Sequence, residues 1–185
     1  MRIWKFIVAV TIGLFAAKSA VAGDLENTLY LDLKYGRVVI EMRPDLAPHH
    51  VARIKELVRQ KFYDGVKFHR VIEGFMAQTG DPTGTGRGGS GKNLKAEFNK
   101  EPHVRGVLSM ARASDPDSAD SQFFIVTKDS SFLDGQYTVW GKVVSGMEFV
   151  DMIKKGSQAN NGEVADPDVI VTLRVASDVK DKVAF

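Results

Sequence analysis

The sequence has 185 residues, of which 44% are hydrophobic and 26% are charged, and its formal net charge at pH 7 is +2. It contains no cysteine, which excludes disulfides, thiolate metal sites and a lipid attached through cysteine. Acidic and basic residues are interspersed along the chain, so it lacks the concentrated positive charge of a nucleic-acid-binding protein, and we predict no nucleic-acid partner.

Residues 1–22 are typical of a secretory signal peptide. Two basic residues precede an apolar run at 6–17, and small residues precede a cleavage site at Ala22-Gly23. The apolar run is too short to span a bilayer comfortably and Lys18 interrupts it, so an uncleaved membrane anchor is the less favoured alternative. We predict an exported protein, periplasmic or secreted, that leaves the membrane after cleavage. Removal of 1–22 deletes three cations and no acid, which lowers the formal charge to about −1.

Residues 23–185 are predicted to form one domain. Leu29, Leu31 and Leu33 alternate with polar residues, which predicts a strand, and a turn at 35–37 leads into a second strand at 38–42. Apolar residues at helical spacing predict a helix over 47–60.

Further elements follow in the same short pattern. Strands are predicted at 66–72, 75–79, 106–111, 122–127, 137–144 and 169–176, with a second helix at 148–154 before the last strand. Many short strands with turns between them and only two helices predict a mainly β fold, a closed eight-stranded antiparallel barrel. We see no internal repeat or heptad pattern that favours assembly, and a monomer is expected.

Alternation within the strands predicts which side chains share a face, because successive side chains point to opposite sides of a sheet. In 66–72 this places Phe68 and Arg70 together and turns His69 away from them. In 122–127 it places Gln122 beside Phe124, and in 75–79 it places Met76 beside Gln78.

Arg70 is predicted to lie among apolar residues, which is unusual for a charged side chain. A strand arginine is usually a solvated surface charge, but Phe75, Met76 and Phe124 surround this one in the predicted arrangement. A rigid planar cation beside an apolar pocket suits recognition of a neutral, bulky group that carries a polar bond. Gln78 and Gln122 are either surface amides or partners that fix the guanidinium.

Two other patterns carry less weight. The glycines at 84–91 match phosphate-binding spacings, but no buried strand precedes them and no helix follows, so a loop that lines a groove is favoured over nucleotide binding. The four histidines do not pair with carboxylates at metal-ligand spacing, and no GxSxG elbow supports a serine hydrolase. We predict no metal and no cofactor.

Several segments together resemble the cyclophilin family of peptidyl-prolyl cis-trans isomerases: YDGVKFHRVIEGFMAQTGDPTGTGRGGSG, GVLSMARA, DSQFFIVT and FLDGQYTVWGKVVSGMEFVD. The resemblance runs from about Leu29 to Val175. It implies a barrel whose open ends are capped by the two helices, proline-containing segments of exported proteins as partners, and acceleration of X-Pro rotation that assists folding.

The resemblance also implies roles for individual residues. It places catalysis on Arg70, Gln78 and Gln122, and a proline pocket on Phe75, Met76, Phe124 and Leu133. The backbone of Ala111, Arg112 and Ala113 corresponds to the segment that holds the residue before proline.

Two positions depart from the eukaryotic pattern of the family. Phe132 stands where cyclosporin-sensitive members carry tryptophan, and Tyr137 stands where many members have histidine at the pocket rim. Phenylalanine keeps an apolar wall but lacks the indole donor, so we expect isomerase activity with weak cyclosporin binding.

Two functions other than catalysis remain as alternatives. The same fold could hold proline-containing segments without turnover, as a chaperone or scaffold. A barrel that carries a small lipid or sugar is less favoured, because large apolar residues are expected to fill the interior.

Overall fold

A computed structural model describes residues 24–179 of the chain. The predicted signal peptide, residues 1–22, lies outside the described residues. Within the described range, no helix is long and apolar enough to cross a membrane.

Within residues 24–179, eight strands and two α-helices make up the fold. In chain order they are β1 (Thr28–Leu33), β2 (Gly36–Met42), α1 (Pro48–Arg59), β3 (Arg70–Ile72), β4 (Met76–Thr79), β5 (Val107–Met110), β6 (Phe123–Val126), β7 (Val139–Ser145), α2 (Met147–Asp151) and β8 (Thr172–Val175). All strands join one antiparallel sheet in the order β3-β4-β6-β5-β7-β2-β1-β8. The predicted mainly β, eight-stranded antiparallel architecture with two helices is confirmed.

The two edges of the sheet meet through irregular backbone bonds. The amide of Phe68 donates to Asp168 O at 2.8 Å, and the amide of Ile170 donates to Val66 O at 2.9 Å. Lys67 and Val169 form an isolated bridge between the same segments. These bonds join the residues before β3 to the residues before β8, so the strand predicted at 66–72 is regular only from Arg70 onward.

The barrel interior is filled with side chains. Leu29, Leu31 and Ile40 from the β1–β2 hairpin are fully buried, as are the large aromatic residues Phe123 and Trp140. The Phe123 and Trp140 rings meet edge to face at 5.4 Å. This packing agrees with the prediction that large apolar residues occupy the barrel, and it disfavours the lipid- or sugar-carrying alternative.

Helix α1 packs its apolar stripe of Val51, Ile54, Leu57 and Val58 into the main core, with Pro48 in the first turn, where a missing N–H costs nothing. Its N-cap residue, Ala47, offers no side-chain cap. Glu97, from a distant loop, caps the helix by accepting from the amides of His49 and His50. Helix α2 is shorter than predicted: it ends at Asp151, whereas the prediction extended it to residue 154.

Candidate active site

Strands β4 and β6 divide their side chains between the barrel core and an outer cluster. Ala77, Phe123 and Ile125 belong to the main core. Met76 and Phe124 belong to a second, smaller apolar cluster that includes Val126 and Leu133. The predicted alternation in these two strands is therefore present, and it turns the outer cluster towards the surface where Arg70 lies.

The guanidinium of Arg70 is held by neutral oxygens. Nη1 donates to Gln78 Oε1 at 3.2 Å, Nε donates to Asn161 O at 3.0 Å, and Nη2 donates to Asn161 Oδ1 at 3.0 Å. An arginine has five N–H groups, so two stay unused by these bonds. Between residues 24 and 179 we find no ion pair that involves Arg70. Burial lowers the pKa of Arg70 from its ordinary value, yet an arginine stays charged in proteins.

A chain of amides connects Arg70 to the glycine-rich loop. Gln78 Nε2 donates to Gln122 Oε1 at 2.9 Å. Gln122 Nε2 in turn donates to the carbonyl oxygens of Gly86 at 3.1 Å and Gly88 at 2.8 Å. Since each amide both accepts and donates, the two glutamines have fixed orientations, and they lock the guanidinium into one rotamer.

The glycine-rich loop is folded around the carboxylate of Asp81, which has no exposed surface. That carboxylate accepts from the amides of Thr83, Thr85, Gly86 and Gly88 at 2.6 to 3.1 Å. Burial alone raises the pKa of Asp81, but the bonds from Thr83 and from the two glycine amides lower it to about 2. The backbone amides that resemble a phosphate-binding loop therefore bind a carboxylate of the protein itself.

A surface cavity of about 430 Å³ contains most of the predicted site. Nine of the predicted residues line it: Arg70, Phe75, Met76, Gln78, Ala111, Arg112, Phe124, Leu133 and Tyr137. One end is an apolar cup, formed by Met76, Phe124 and Leu133. Arg70 lies beside that cup, so a bound group can fill the cup and meet the cation at once.

The remaining three predicted residues lie around this cavity. Ala113 and Gln122 line an adjoining cavity of about 390 Å³. Phe132 lines neither, but its ring lies 5.4 Å from the ring of Phe75 at the rim and is 65% exposed. The Arg112 guanidinium lies over the Tyr137 ring, 4.8 Å from the ring centre. The side chain of Arg112 therefore belongs to the rim, as its backbone does.

The predicted faces before β3 are wrong. Phe68 packs in the main core instead of sharing a face with Arg70, and His69 lines the Arg70 cavity instead of facing away from it. Alternation fails here because the regular ladder starts only at Arg70. Burial lowers the pKa of His69 and outweighs the charge of Asp81, which raises it, so His69 does not add a cation at neutral pH.

Asn161 is a site residue that the sequence did not reveal. It supplies two of the three oxygens that hold Arg70, from 91 positions away in the chain. Its φ of +53° is left-handed, a conformation that asparagine and glycine tolerate best. An Asn-Gly pair is typical of a turn, but nothing local in the sequence reveals that this turn contacts Arg70.

Among residues 24–179, no group of three or more His, Asp or Glu side chains is placed to hold a metal ion. The cavity around Arg70 is lined by a second cation, Arg112, by the carboxylate of Glu163, and by amide and apolar side chains.

Fold and site together define a class of protein: a rigid antiparallel β barrel with a surface cleft that sets a fixed guanidinium beside a ring-sized apolar cup. The family model for "Cyclophilin type peptidyl-prolyl cis-trans isomerase/CLD" matches residues 28–175. The chain belongs to this family, and its activity is peptidyl-prolyl cis-trans isomerisation.

Individual relatives agree with this assignment. The chain is 56% identical to a probable peptidyl-prolyl cis-trans isomerase of Brucella suis, over 94% of this chain and 93% of that protein. The cyclophilin AquaCyp293 from Hirschia baltica is similar in structure, with a TM-score of 0.76 and 31% identity over 86% of this chain and 77% of that one. A cyclophilin-type isomerase of Cryptosporidium parvum, crystallised in the presence of the dipeptide Ala-Pro, has a TM-score of 0.73 and 29% identity, covering 80% of this chain and 98% of that one.

Proposed function

We propose that this isomerase accelerates X-Pro rotation in exported proteins, in the periplasm or outside the cell, and so assists their folding. The observation that carries the catalytic part is the state of Arg70: a fixed cation, held by neutral oxygens, with two N–H groups left over beside an apolar cup. The part that concerns export rests on the sequence of residues 1–22.

The reaction needs a group that favours a twisted amide. A peptide bond resists rotation by roughly 18–20 kcal/mol, because the nitrogen lone pair is delocalised into the carbonyl. X-Pro bonds populate both isomers but exchange over tens of seconds or longer. Rotation localises the lone pair on nitrogen, and a hydrogen-bond donor aimed at that nitrogen stabilises the twisted state more than either planar state.

In our proposal, Arg70 is that donor. The proline ring enters the cup of Met76, Phe124 and Leu133, and the prolyl nitrogen then lies near the free N–H groups of Arg70. The backbone at 111–113 holds the preceding residue while the bond turns. Neither a covalent intermediate nor a proton transfer is required, and each 1.4 kcal/mol of preferential stabilisation gives about tenfold in rate.

The amides prepare the cation for this role. A flexible arginine loses conformational entropy when it becomes ordered, and this loss offsets part of its interaction energy with the substrate. Gln78 and Asn161 fix its position in advance, and Gln122 fixes Gln78. Because these partners are neutral, they leave the positive charge of Arg70 uncompensated, so the charge is available to the twisted bond.

Arg70→Ala tests the catalytic proposal. We expect catalysed cis-trans exchange of a short Ala-Pro-Phe peptide, measured by NMR exchange spectroscopy, to fall at least a hundredfold, about 2.7 kcal/mol, while peptide binding falls much less. Arg105→Ala is a matched control, because Arg105 pairs with Asp151 on the surface. If wild type binds the peptide without accelerating exchange, the non-catalytic binder is correct. If Arg70→Ala keeps full activity, Arg70 is not the donor.

Cell fractionation tests export. The full-length chain should appear outside the cytoplasm with Gly23 as its first residue, as identified by mass spectrometry. A chain that keeps residues 1–22 and stays in the cytoplasm contradicts this part of the proposal and leaves the catalytic part untouched.

A further inference from the structure

The main chain of Arg112 has hydrogen-bonding groups that the fold does not use. The amide of Ala111 donates to Gln122 O at 2.9 Å and extends the pairing of β5 with β6 by one bond. The amide of Ala113 donates to the hydroxyl of Ser118 at 2.9 Å. Between these two residues, no hydrogen bond in the described range uses the N–H or the C=O of Arg112. Since Arg112 lines both the larger cavity and the adjoining one, these two groups are available to a bound chain.

An extended segment of substrate can pair with this residue. A donor and an acceptor on one residue are the two groups that antiparallel strands exchange with the residue opposite. The residue before a proline favours extended conformations, and the proposed catalysis places that residue against 111–113. Residues opposite each other in such a pair have their side chains on the same face, with Cβ atoms about 4.5–5.5 Å apart. The side chain of the residue before proline therefore lies beside the side chain of Arg112.

The Arg112 guanidinium is held in place, but its charge is not compensated. Nε and Nη2 donate to Gln136 O at 3.1 and 3.0 Å. Nη1 donates to Ala113 O at 2.9 Å and to Ser114 O at 3.3 Å, and the group lies over the Tyr137 ring. All these partners are neutral, and no ion pair in the described range involves Arg112. A cation that is already ordered and lacks a carboxylate is well suited to bind one from the substrate.

The carboxylate that lines the same cavity stands on its opposite side. The backbone of Glu163 pairs with Arg70, on the edge of β3 that does not pair with β4. Strands β3, β4 and β6 therefore lie between Glu163 and β5, and Arg112 follows β5. The side of the cavity that takes the residue before proline is thus positive, and the Glu163 carboxylate does not compete for the Arg112 guanidinium there.

We propose that Arg112 is a specificity-determining residue, which makes the enzyme prefer an acidic residue immediately before the proline. The guanidinium binds the substrate carboxylate, while the N–H and C=O of Arg112 pair with the main chain of the same substrate residue. The proposal rests on the proposed catalysis at Arg70. Its tests therefore compare peptides by their ratio, and they include an affinity measurement that does not depend on turnover.

Matched peptides test the preference in the wild-type full chain. The peptides are Ala-Glu-Pro-Phe, Ala-Gln-Pro-Phe and Ala-Lys-Pro-Phe with blocked ends, and NMR exchange spectroscopy at pH 7 gives kcat/KM for each. Glutamine has nearly the shape of glutamate without its charge. We expect the Glu peptide to exceed the Gln peptide about threefold to fivefold, the size of a partly exposed ion pair, and the Lys peptide to be the poorest. The ratio should approach one in about 1 M salt, which screens charges beyond about 3 Å.

Affinity separates this proposal from the catalytic one. NMR titration of the same peptides should give a Kd for the Glu peptide that is lower than that for the Gln peptide by a similar factor. Equal kcat/KM and equal Kd for the two peptides at low salt would overturn the preference, even in an active enzyme. A chain that binds the Glu peptide more tightly but turns over neither peptide would contradict the catalysis and support the preference.

Variants at Arg112 assign the preference to this side chain. Arg112→Gln should lower the Glu-to-Gln ratio to about one, whereas a loosened rim alone would lower both peptides equally and leave the ratio unchanged. Arg112→Lys keeps the charge but not the planar fork, so the ratio should stay above about two. Arg112→Glu should reverse the order and favour the Lys peptide.

Arg87→Gln is the matched control. Arg87 lines only the adjoining cavity, and its side chain makes no hydrogen bond in the described range, so the variant removes the same charge without touching the larger cavity. We expect it to keep the wild-type ratio. An equal fall in Arg87→Gln and Arg112→Gln would assign the preference to the total charge of the cleft and overturn the role of Arg112, as would an Arg112→Gln variant with the wild-type ratio.

Discussion

Asn161 presents two oxygens to one guanidinium, since its backbone carbonyl and its side chain both accept from Arg70 at 3.0 Å. Its left-handed conformation and the glycine that follows allow the turn to lie against β3. A Cβ at Gly162 would collide with the side chain of Ile72. The turn at 160–162 is therefore part of the frame that holds the cation.

Removing the Asn161 side chain should lower catalysis without lowering binding. Asn161→Gly keeps the backbone bond to Arg70 Nε and tolerates the positive φ, but leaves Nη2 without its partner. We expect kcat/KM to fall about three- to tenfold through kcat, as one hydrogen bond of about 1 kcal/mol is lost, with peptide affinity by NMR titration unchanged.

The neighbouring residue gives a matched control for this variant. Asn160 lines the same cavity, but its side chain makes no hydrogen bond to another residue in the described range. Asn160→Gly should keep wild-type kcat. An equal loss in both variants would mean that loosening of the turn, and not the lost bond, is responsible.

We expect the Asp81 carboxylate to affect both the free energy of unfolding and the rate of catalysis. Its pKa of about 2 lies below the ordinary aspartate value near 4, so the carboxylate stabilises the fold fully above that value and loses this effect as the pH falls towards 2. We expect Asp81→Asn to lower the free energy of unfolding at pH 7 by about 2 kcal/mol. Urea unfolding should show the difference from wild type shrinking below pH 4.

The same variant should also reduce kcat, because the amides of Gly86 and Gly88 that bind Asp81 belong to residues whose carbonyls hold Gln122. Asp166→Asn, at a fully exposed carboxylate, should change neither quantity. A destabilised Asp81→Asn protein with wild-type kcat would show that the loop does not hold the amide chain in place.

Glu97 offers a contrast, because its hydrogen bonds go to helix α1 and to Thr138 and Asn99, and none in the described range goes to the amide chain. Burial raises its pKa, but hydrogen bonds from His50 and His49 lower it to about 2. Glu97→Gln should therefore destabilise the protein above pH 4 by about 1–2 kcal/mol, and the difference should vanish as the pH falls towards 2. Thermal unfolding across this pH range checks the stability. A large loss of kcat/KM would contradict a purely capping role.

The parts of the site that lie on regular strands could be predicted from sequence. Alternation in β4 and β6 correctly separated Met76 and Phe124 from Ala77 and Phe123, because a continuous ladder keeps the period of two. It failed at Phe68 and His69, where backbone bonds to the segment before β8 replace the ladder. The number of strands and their places along the chain followed from the same signal, whereas their ends shifted by a few residues.

The contacts made by loops could not be predicted in this way. The glycines at 84–91 indicated a loop, but only the fold shows that Asp81 fills it. Asn161 and Arg70 meet although 91 positions separate them in the chain. Such contacts depend on tertiary packing, which leaves no periodic signal in a single sequence.

Phe132→Trp should tighten cyclosporin binding. The resemblance to cyclosporin-sensitive cyclophilins places an indole donor at this position, and the exposed Phe132 ring beside Phe75 leaves space for one. We expect the Kd measured by calorimetry to fall about fivefold to tenfold, as one added hydrogen bond contributes about 1 kcal/mol, while kcat/KM for the Ala-Pro-Phe peptide stays within about twofold. Phe132→Tyr enlarges the ring but puts its donor elsewhere, so it should not tighten binding. If the tyrosine variant gains as much as the tryptophan variant, or if neither gains, the missing indole donor is not what limits the affinity for the drug.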